Sequence, residues 1–302
     1  MTLKKKNTWL NDLITYLFDD FRKQKNARLF KNLLYIFLSV KCVFWLLNFD
    51  MLFGENSLSL TFDHHISVFK GLAYFLYSQN NPAYCMYFIA VLLIACLYSL
   101  RSSRSFLVID LVIYFLVLNI DIRIYTTSTA GESVLVNVCF LSAWLKKEFK
   151  LGNSTYDQLK VLFHNLSFYA LILQICIVYG YSALAKWFDA DWLSGNAVYL
   201  ASKTFHYSRS FVVDHVDSVK FVAIALTYIV LLYQTLFPFL VWFKKLKPYL
   251  LIMGVIMHLY IAFVMGLFFF GVIMILTYVL FIDFPEEEKD PNEPQKINKP
   301  AK

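Results

Sequence analysis

The sequence predicts an all-α protein, a polytopic transmembrane helical bundle of about eight spans with no large soluble domain. Three observations predict it. Apolar residues make up 59% of the 302 residues and charged residues 16%, against about 45–50% and about 25% in soluble domains. Mean hydropathy is +0.56. Apolar runs of the about 17–25 residues that a helix needs to cross a bilayer recur along the chain.

In order, the runs cover residues 29–48, 84–100, 106–122, 132–145, 166–185 and 219–243. The last run, 249–282, is too long for one crossing: at 1.5 Å per residue it would reach about 50 Å, against a hydrocarbon core of about 30 Å. It is therefore split near Met265-Gly266 into two short helices. Residues 71–77 form a short apolar patch, interfacial or re-entrant. Before the first run, residues 1–28 read as a basic amphipathic segment on the cytoplasmic membrane surface. They have no apolar core followed by a small-residue cleavage site, so no signal peptide is expected. Residues 29–283 form the bundle. Residues 284–302 are charged and proline-containing and read as a disordered cytoplasmic tail.

The net charge of +7 is distributed over loops. With eight spans and the N-terminus inside, every basic stretch is cytoplasmic: the N-terminus, Arg101/Arg104, Lys146/Lys147/Lys150, Lys244/Lys245/Lys247 and the tail. Seven spans would put the tail outside. No basic-aromatic platform or nucleic-acid motif occurs, so nucleic acid is excluded as a partner and the lipid bilayer is the expected one. The five cysteines, Cys42, Cys85, Cys96, Cys139 and Cys176, all lie in apolar stretches without a CxxC pair. They read as buried small hydrophobes rather than a disulfide framework.

The eight-span arrangement leaves residues 49–77, 123–131 and 186–218 outside. An apolar helix that runs into charged and aromatic residues without a polar spacer opens the last and largest of these: YGYSALAKWFDADWLSGNAVY, residues 179–199. A lysine at the end of a membrane helix is costly unless it snorkels or works. Lys186 is thus either a general base, with desolvation by the apolar helix, or a lysine paired with Asp189 or Asp191. Trp187 and Trp192 fit an interfacial aromatic belt. Other external polar residues are Asp121, Arg123, Glu132, His206 and His215.

Within the spans, Lys41, Asp110, Asn119, Asn137, Gln174, Gln234 and His258 are polar where lipid is expected. Each reads alone as an interhelical hydrogen bond; for His258 a site role stands beside that. Asp110 is a candidate partner for Lys41. His64 and His65 are adjacent and share no helix face. His206 and His215 have no ligand-type spacing, and HExxH, GxSxG, Walker and GxGxxG motifs are absent, so no metal or nucleotide site is expected.

Residues 181–199, YSALAKWFDADWLSGNAVY, resemble the signature of the vitamin K-dependent gamma-carboxylase superfamily, whose bacterial members include the horizontally transferred transmembrane (HTTM) proteins. In that family a membrane helix ends in a small-residue and lysine pattern followed by Asp-Trp, glycine and an aromatic, matched here by Lys186, Asp191, Trp192, Gly195 and Tyr199. Residues 234–258, QTLFPFLVWFKKLKPYLLIMGVIMH, are similar to a second family pattern, and 259–281 to a third, a glycine and phenylalanines before a Tyr-bearing helix. The resemblance implies a site on the non-cytoplasmic side of a bacterial cytoplasmic membrane. It implies Lys186 as the base, with His258 or Glu132 assisting, on a reduced naphthoquinone such as menaquinol.

Asp189, Asp191, Trp192, Arg123 and Gln234 are the expected substrate- or cofactor-binding residues. Two departures stand out. The carboxylase lysine lies five residues before the tryptophan, where this chain has Trp187, and Lys186 lies six before Trp192, closer to the HTTM pattern. Glu132 stands where carboxylases have a histidine. With no appended lumenal domain after the last helix, gamma-carboxylation of glutamate is not expected. The chain is most similar to the SdpB-type branch, which implies maturation of a secreted antimicrobial peptide beside a small SdpA-like partner protein. The alternative is a non-catalytic scaffold, immunity or transport component that binds such a peptide.

Overall fold

The structure, a computed structural model, describes residues 17–18, 23–54, 57, 82–124, 128–148, 154–204 and 210–284. The N-terminal segment up to residue 16, the patch at 71–77, His64, His65, His206 and the tail beyond 284 lie outside the described residues. The described residues are helical, with no strand among them.

The long helices begin and end where local chemistry tells them to. α1 spans Gln24–Leu47 and is followed by the short α2, Phe49–Phe53. α3 spans Pro82–Arg101 and α4 Leu107–Arg123. α5, Ala130–Ser142, starts with a capping box: Thr129 and Glu132 each take the other's backbone or side chain as partner, satisfying amides that the first turn leaves unpaired. At 13 residues it is about 20 Å long, short of a bilayer core. α6, Thr155–Trp187, is 33 residues long and starts at Ser154, whose hydroxyl accepts the Asp157 amide at 3.2 Å. The sequence places this span at 166–185. The helix extends well before that because polar residues such as Asp157 and Lys160 suit a helix outside lipid and hydropathy marks only the buried part.

α7 (Ala190–Leu193), α8 (Ala197–Lys203), α9 (Ser210–His215) and a 3₁₀ turn (Val216–Val219) follow. α10 spans Lys220–Leu240 with Pro238 inside it. The 249–282 run breaks as expected: α11, Lys247–Phe263, and α12, Phe268–Thr277, are joined at Gly266, where φ is +76°. Glycine enters that left-handed region without the Cβ clash other residues meet. α12 ends in a 3₁₀ turn, Tyr278–Phe281.

α1 packs on α3, α6 on α10, α4 on α5, and α11 folds back on α12. Asn26 donates 2.7 Å bonds to the carbonyls of Val279 and Ile282, and Asp283 bonds both Lys23 and Lys247 at 2.7 and 2.6 Å. The start of α1 and the end of the 3₁₀ turn are therefore at one end of the fold.

The helices share an apolar core that includes Phe30, Leu92, Phe168 and Phe237, yet the surface is unlike a water-soluble protein's. Large apolar side chains point outward, with Leu47 80%, Tyr181 74% and Phe221 79% exposed, while Lys31, Lys41, Asp110, His164 and His258 are buried. Lysine and aspartate are almost never buried unless paired, and so much exposed apolar surface needs a non-aqueous neighbour. Gln24–Leu47, Pro82–Arg101, Thr155–Trp187 and Val212–Leu240 are long and apolar enough to cross a membrane. The protein is consistent with an integral membrane protein, and among the described residues four helices are long and apolar enough to cross.

Two ion pairs sit among the buried groups, and they are not the pairing the sequence raised. Asp110 bonds Lys31 at 2.7 Å, while Lys41 bonds Glu132 at 2.7 Å. Lys31 and Lys41 are nearly three turns apart on α1, about 15 Å, so each meets a different end of the fold. Lys31 also donates to the Leu145 carbonyl near the start of α4, where Asp110 lies. Lys41 reaches the first turn of α5 and lies 4.4 Å from the Phe269 ring centroid.

A candidate functional site in a groove between helices

Lys186 lies in the last turn of α6 and donates to Ser182 Oγ at 2.6 Å, one turn earlier on the same helix. Ser182 in turn donates to Gln234 Oε1 on α10 at 3.1 Å. The Trp192 ring lies 4.7 Å from the Lys186 ammonium. Of the two outcomes posed by the sequence, carboxylate pairing is not the one found. Lys186 bonds to neither Asp189 nor Asp191.

Asp189 is a helix cap instead: its Oδ1 accepts the Asp191 amide at 2.9 Å and the Trp192 amide at 3.4 Å. Capping satisfies amides that begin α7, and it places the Trp192 ring over Lys186. Gly195, at φ +80°, turns the chain back toward α10, where the Tyr228 hydroxyl donates to the Leu193 carbonyl at 3.0 Å. The block from 186 to 195 is thus a tight cap on the end of α6.

Below Lys186 a groove of about 780 Å³ runs between α5 and α6. Such a volume suits a drug-sized ligand. Its walls are mostly apolar, with Phe140, Leu173 and Ile177 among them, and its polar lining includes Asn137, Gln174, Ser182 and Lys186. Both amide atoms of Gln174 are buried and have no hydrogen-bond partner among the described residues. Unmatched buried polar atoms cost about 1–3 kcal/mol each, so native proteins rarely keep them without a reason.

Phe270 closes one side of the groove. It packs edge-on against His258, ring centroids 5.7 Å apart, and against Gly131, where a Cβ would fall 2.9 Å from the Phe270 Cα. Behind Phe270 is a polar cluster that sequence reading missed. The Tyr179 hydroxyl lies 2.7 Å from His258 Nε2 and in direct contact with the Tyr278 hydroxyl. Tyr278 meets Tyr233 at 3.1 Å, and Tyr233 donates to the Leu250 carbonyl at 3.2 Å. His258 Nδ1 has no partner among the described residues. Tyr179, Tyr233 and Tyr278 were hidden by abundance: with 20 tyrosines the sequence gives no signal that three of them meet.

The structure brings together Lys186, Trp192 and Gln234. It puts His258 one ring behind the groove wall. Glu132 sits beside the groove-lining Ser133 but turns to Lys41 and to Thr129. Arg123 lies against Cys85 of α3, outside the groove lining. Asp191 is exposed. No metal-holding group of His, Cys, Asp or Glu occurs among the described residues.

The fold and this site define a protein that is helical over its described residues, with four helices long and apolar enough to cross a membrane and a polar-ended groove between helices. No family model, no curated protein and no solved structure matches the chain.

Proposed function

We propose that the groove between α5 and α6 is the reaction site of a membrane enzyme or enzyme subunit, and that Lys186 is its general base. In this reading the protein is an eight-span member of the HTTM and vitamin K-dependent carboxylase-like superfamily, SdpB-type branch. Both termini are cytoplasmic, Lys186 faces the opposite side, and the substrate is a secreted antimicrobial peptide, matured with a small SdpA-like partner. The observation that carries it is the pairing in one groove of a lysine bonded to no carboxylate with an unmatched buried amide, Gln174.

These residues fit a reduced naphthoquinone. The apolar walls take its rings and tail, and the unmatched Gln174 amide, buried beside them, has a donor and an acceptor to turn toward a ring hydroxyl. When bound, such a quinol supplies an acidic hydroxyl and two reducing equivalents. Ser182 and Gln234 hold the Lys186 Nζ in place at the groove end. A neutral Lys186 takes a proton at Nζ, and the Trp192 face stabilises the cation that results. A base of this kind works best where water is restricted, and the Trp192 ring over the Lys186 ammonium is the group that covers it.

The test is purified protein in detergent, given reduced naphthoquinone and oxygen, with quinone products followed by mass spectrometry. Wild type should turn the quinol over. Lys186→Ala should insert and purify normally and lose at least about 100-fold of the rate, the usual contribution of a general base. Equal rates in both proteins would remove Lys186 from the chemistry. Absence of turnover in wild type, even with peptide and partner present, would leave a non-catalytic peptide-binding protein.

A further inference from the structure

A second cavity, of about 1050 Å³, opens at the other end of the fold, where α1 and α4 begin. Six cationic side chains line it: Lys25, Arg28, Arg104, Lys146, Lys147 and Lys160. The single carboxylate among its described lining residues, Glu148, is already bonded to Arg28 at 2.8 Å. Lys147 directs its ammonium to the carbonyls of Ser99 and Ser102 at the end of α3, and Lys160 bonds Asp157. Arg104 and Lys146 bond no carboxylate among the described residues. Burial, and next the charge of Lys31, hold the Lys146 ammonium below its ordinary range against the opposing pull of Asp110.

The same cavity contains the start of α4. Its N-cap residue is Phe106, which has no capping side chain. Amides of a first helical turn without a cap are a ready anion site. One wall is apolar and open to the outside, with Phe106 44% and Val108 73% exposed. Cationic groups, uncapped amides and an exposed apolar strip converge on one space.

We infer that this cavity binds a phosphate group, that of an anionic phospholipid whose chains lie along the Phe106–Val108 strip. A cationic floor beside an apolar outer wall suits an amphiphile, and basic pockets between membrane helices bind anionic headgroups. The shared chemistry with a soluble phosphate compound is the phosphate itself; the apolar strip favours the lipid.

The experiment uses the full chain in detergent micelles doped with phosphatidylglycerol or phosphatidylcholine, or supplied with inorganic phosphate, with retained lipid read by native mass spectrometry and affinity by titration. Phosphatidylglycerol should be retained in preference to phosphatidylcholine. Arg104→Gln/Lys146→Gln should bind it about 30-fold more weakly, the effect of two surface cations. Lys245→Gln, an exposed cation outside the cavity on the α10–α11 loop at the same end, should bind as wild type does. Equal retention of the two lipids, or equal binding by the double variant and wild type, would overturn the site. Displacement of phosphatidylglycerol by inorganic phosphate at matched concentration would overturn the lipid as occupant and assign a soluble phosphate compound.

Discussion

Asp110→Asn is expected to be among the most damaging conservative changes in this chain. The Lys31 side chain is 0% exposed and Asp110 5%, with Nζ and Oδ2 2.7 Å apart. Asparagine keeps the shape and removes the charge, so the Lys31 ammonium is left buried with only the Leu145 carbonyl at 3.1 Å. Breaking a buried pair by losing one partner costs about 3–5 kcal/mol. Lys31→Met should cost a similar amount by leaving Asp110 charged, with the Tyr35 hydroxyl at 2.5 Å as its remaining donor.

The double variant Lys31→Met/Asp110→Asn behaves differently. Both charges are gone, the asparagine carbonyl still accepts from Tyr35, and the remaining loss is unmatched neutral groups, about 1–3 kcal/mol. It should therefore be more stable than either single variant. Thermal unfolding in detergent, followed by the fluorescence of the six tryptophans, measures all four proteins of the cycle. A single Asp110→Asn effect within about 0.5 kcal/mol, the scale of an ordinary surface change, would refute the burial of an essential pair. A double variant as unstable as the two singles added would refute the coupling.

Gly195→Ala should destabilise more than Gly266→Ala. Both have left-handed backbones, φ +80° and +76°, but a Cβ at Gly195 meets Tyr228 at 2.9 Å and Ile224 at 3.0 Å, whereas nothing lies within 4 Å at Gly266. Gly266→Ala thus costs about 1–2 kcal/mol of backbone strain, and Gly195→Ala adds about 1–3 kcal/mol of overpacking. Equal losses by thermal unfolding would mean the cap on α6 yields freely. For pH, the bonds from Lys23 and Lys247 hold Asp283 at about 2, below the ordinary carboxylate range. A depressed carboxyl stabilises fully above its unfolded value near 3.9 and loses that contribution as pH falls through about 2. The stability difference between wild type and Asp283→Asn should be flat from about pH 5 to 8 and vanish between about pH 4 and 2. Because Asp283 is half exposed, the difference should not exceed about 1 kcal/mol. A difference that grows on acidification would reverse the sign of the argument.

Much of the helical skeleton was legible because lipid and helix both write in hydrophobicity. The break near Met265-Gly266 was readable from length alone, and Gly266 supplies the backbone that makes it. The start of α6 was not, since its first turns are polar and its signal is a serine cap. The number of crossings is less legible than the helices themselves: the run 132–145 reads as a span by composition, and the helix there, α5, has 13 residues between its capping box and Ser142.

The candidate site was half legible. Lys186, Trp192 and Gln234 stood out as polar or aromatic residues at the ends or middle of apolar helices, and they do come together. Ser182, which joins Lys186 to Gln234, is an ordinary small polar residue in a helix and carries no mark. Asp189 and Asp191 looked like partners for Lys186 because they are near in sequence, but Asp189 is spent on the amides of α7.

A helical, largely apolar chain punctuated by basic loops follows from composition and the lengths of apolar runs alone, because these are local properties that a bilayer reads directly. Packing in three dimensions set the rest: Lys31 rather than Lys41 takes Asp110, the Gln174 amide is buried beside a groove without a partner, and Tyr179, Tyr233, Tyr278 and His258 form one cluster. Those outcomes depend on how each helix is rotated and which neighbour it meets, and that choice is made by packing between segments far apart in sequence.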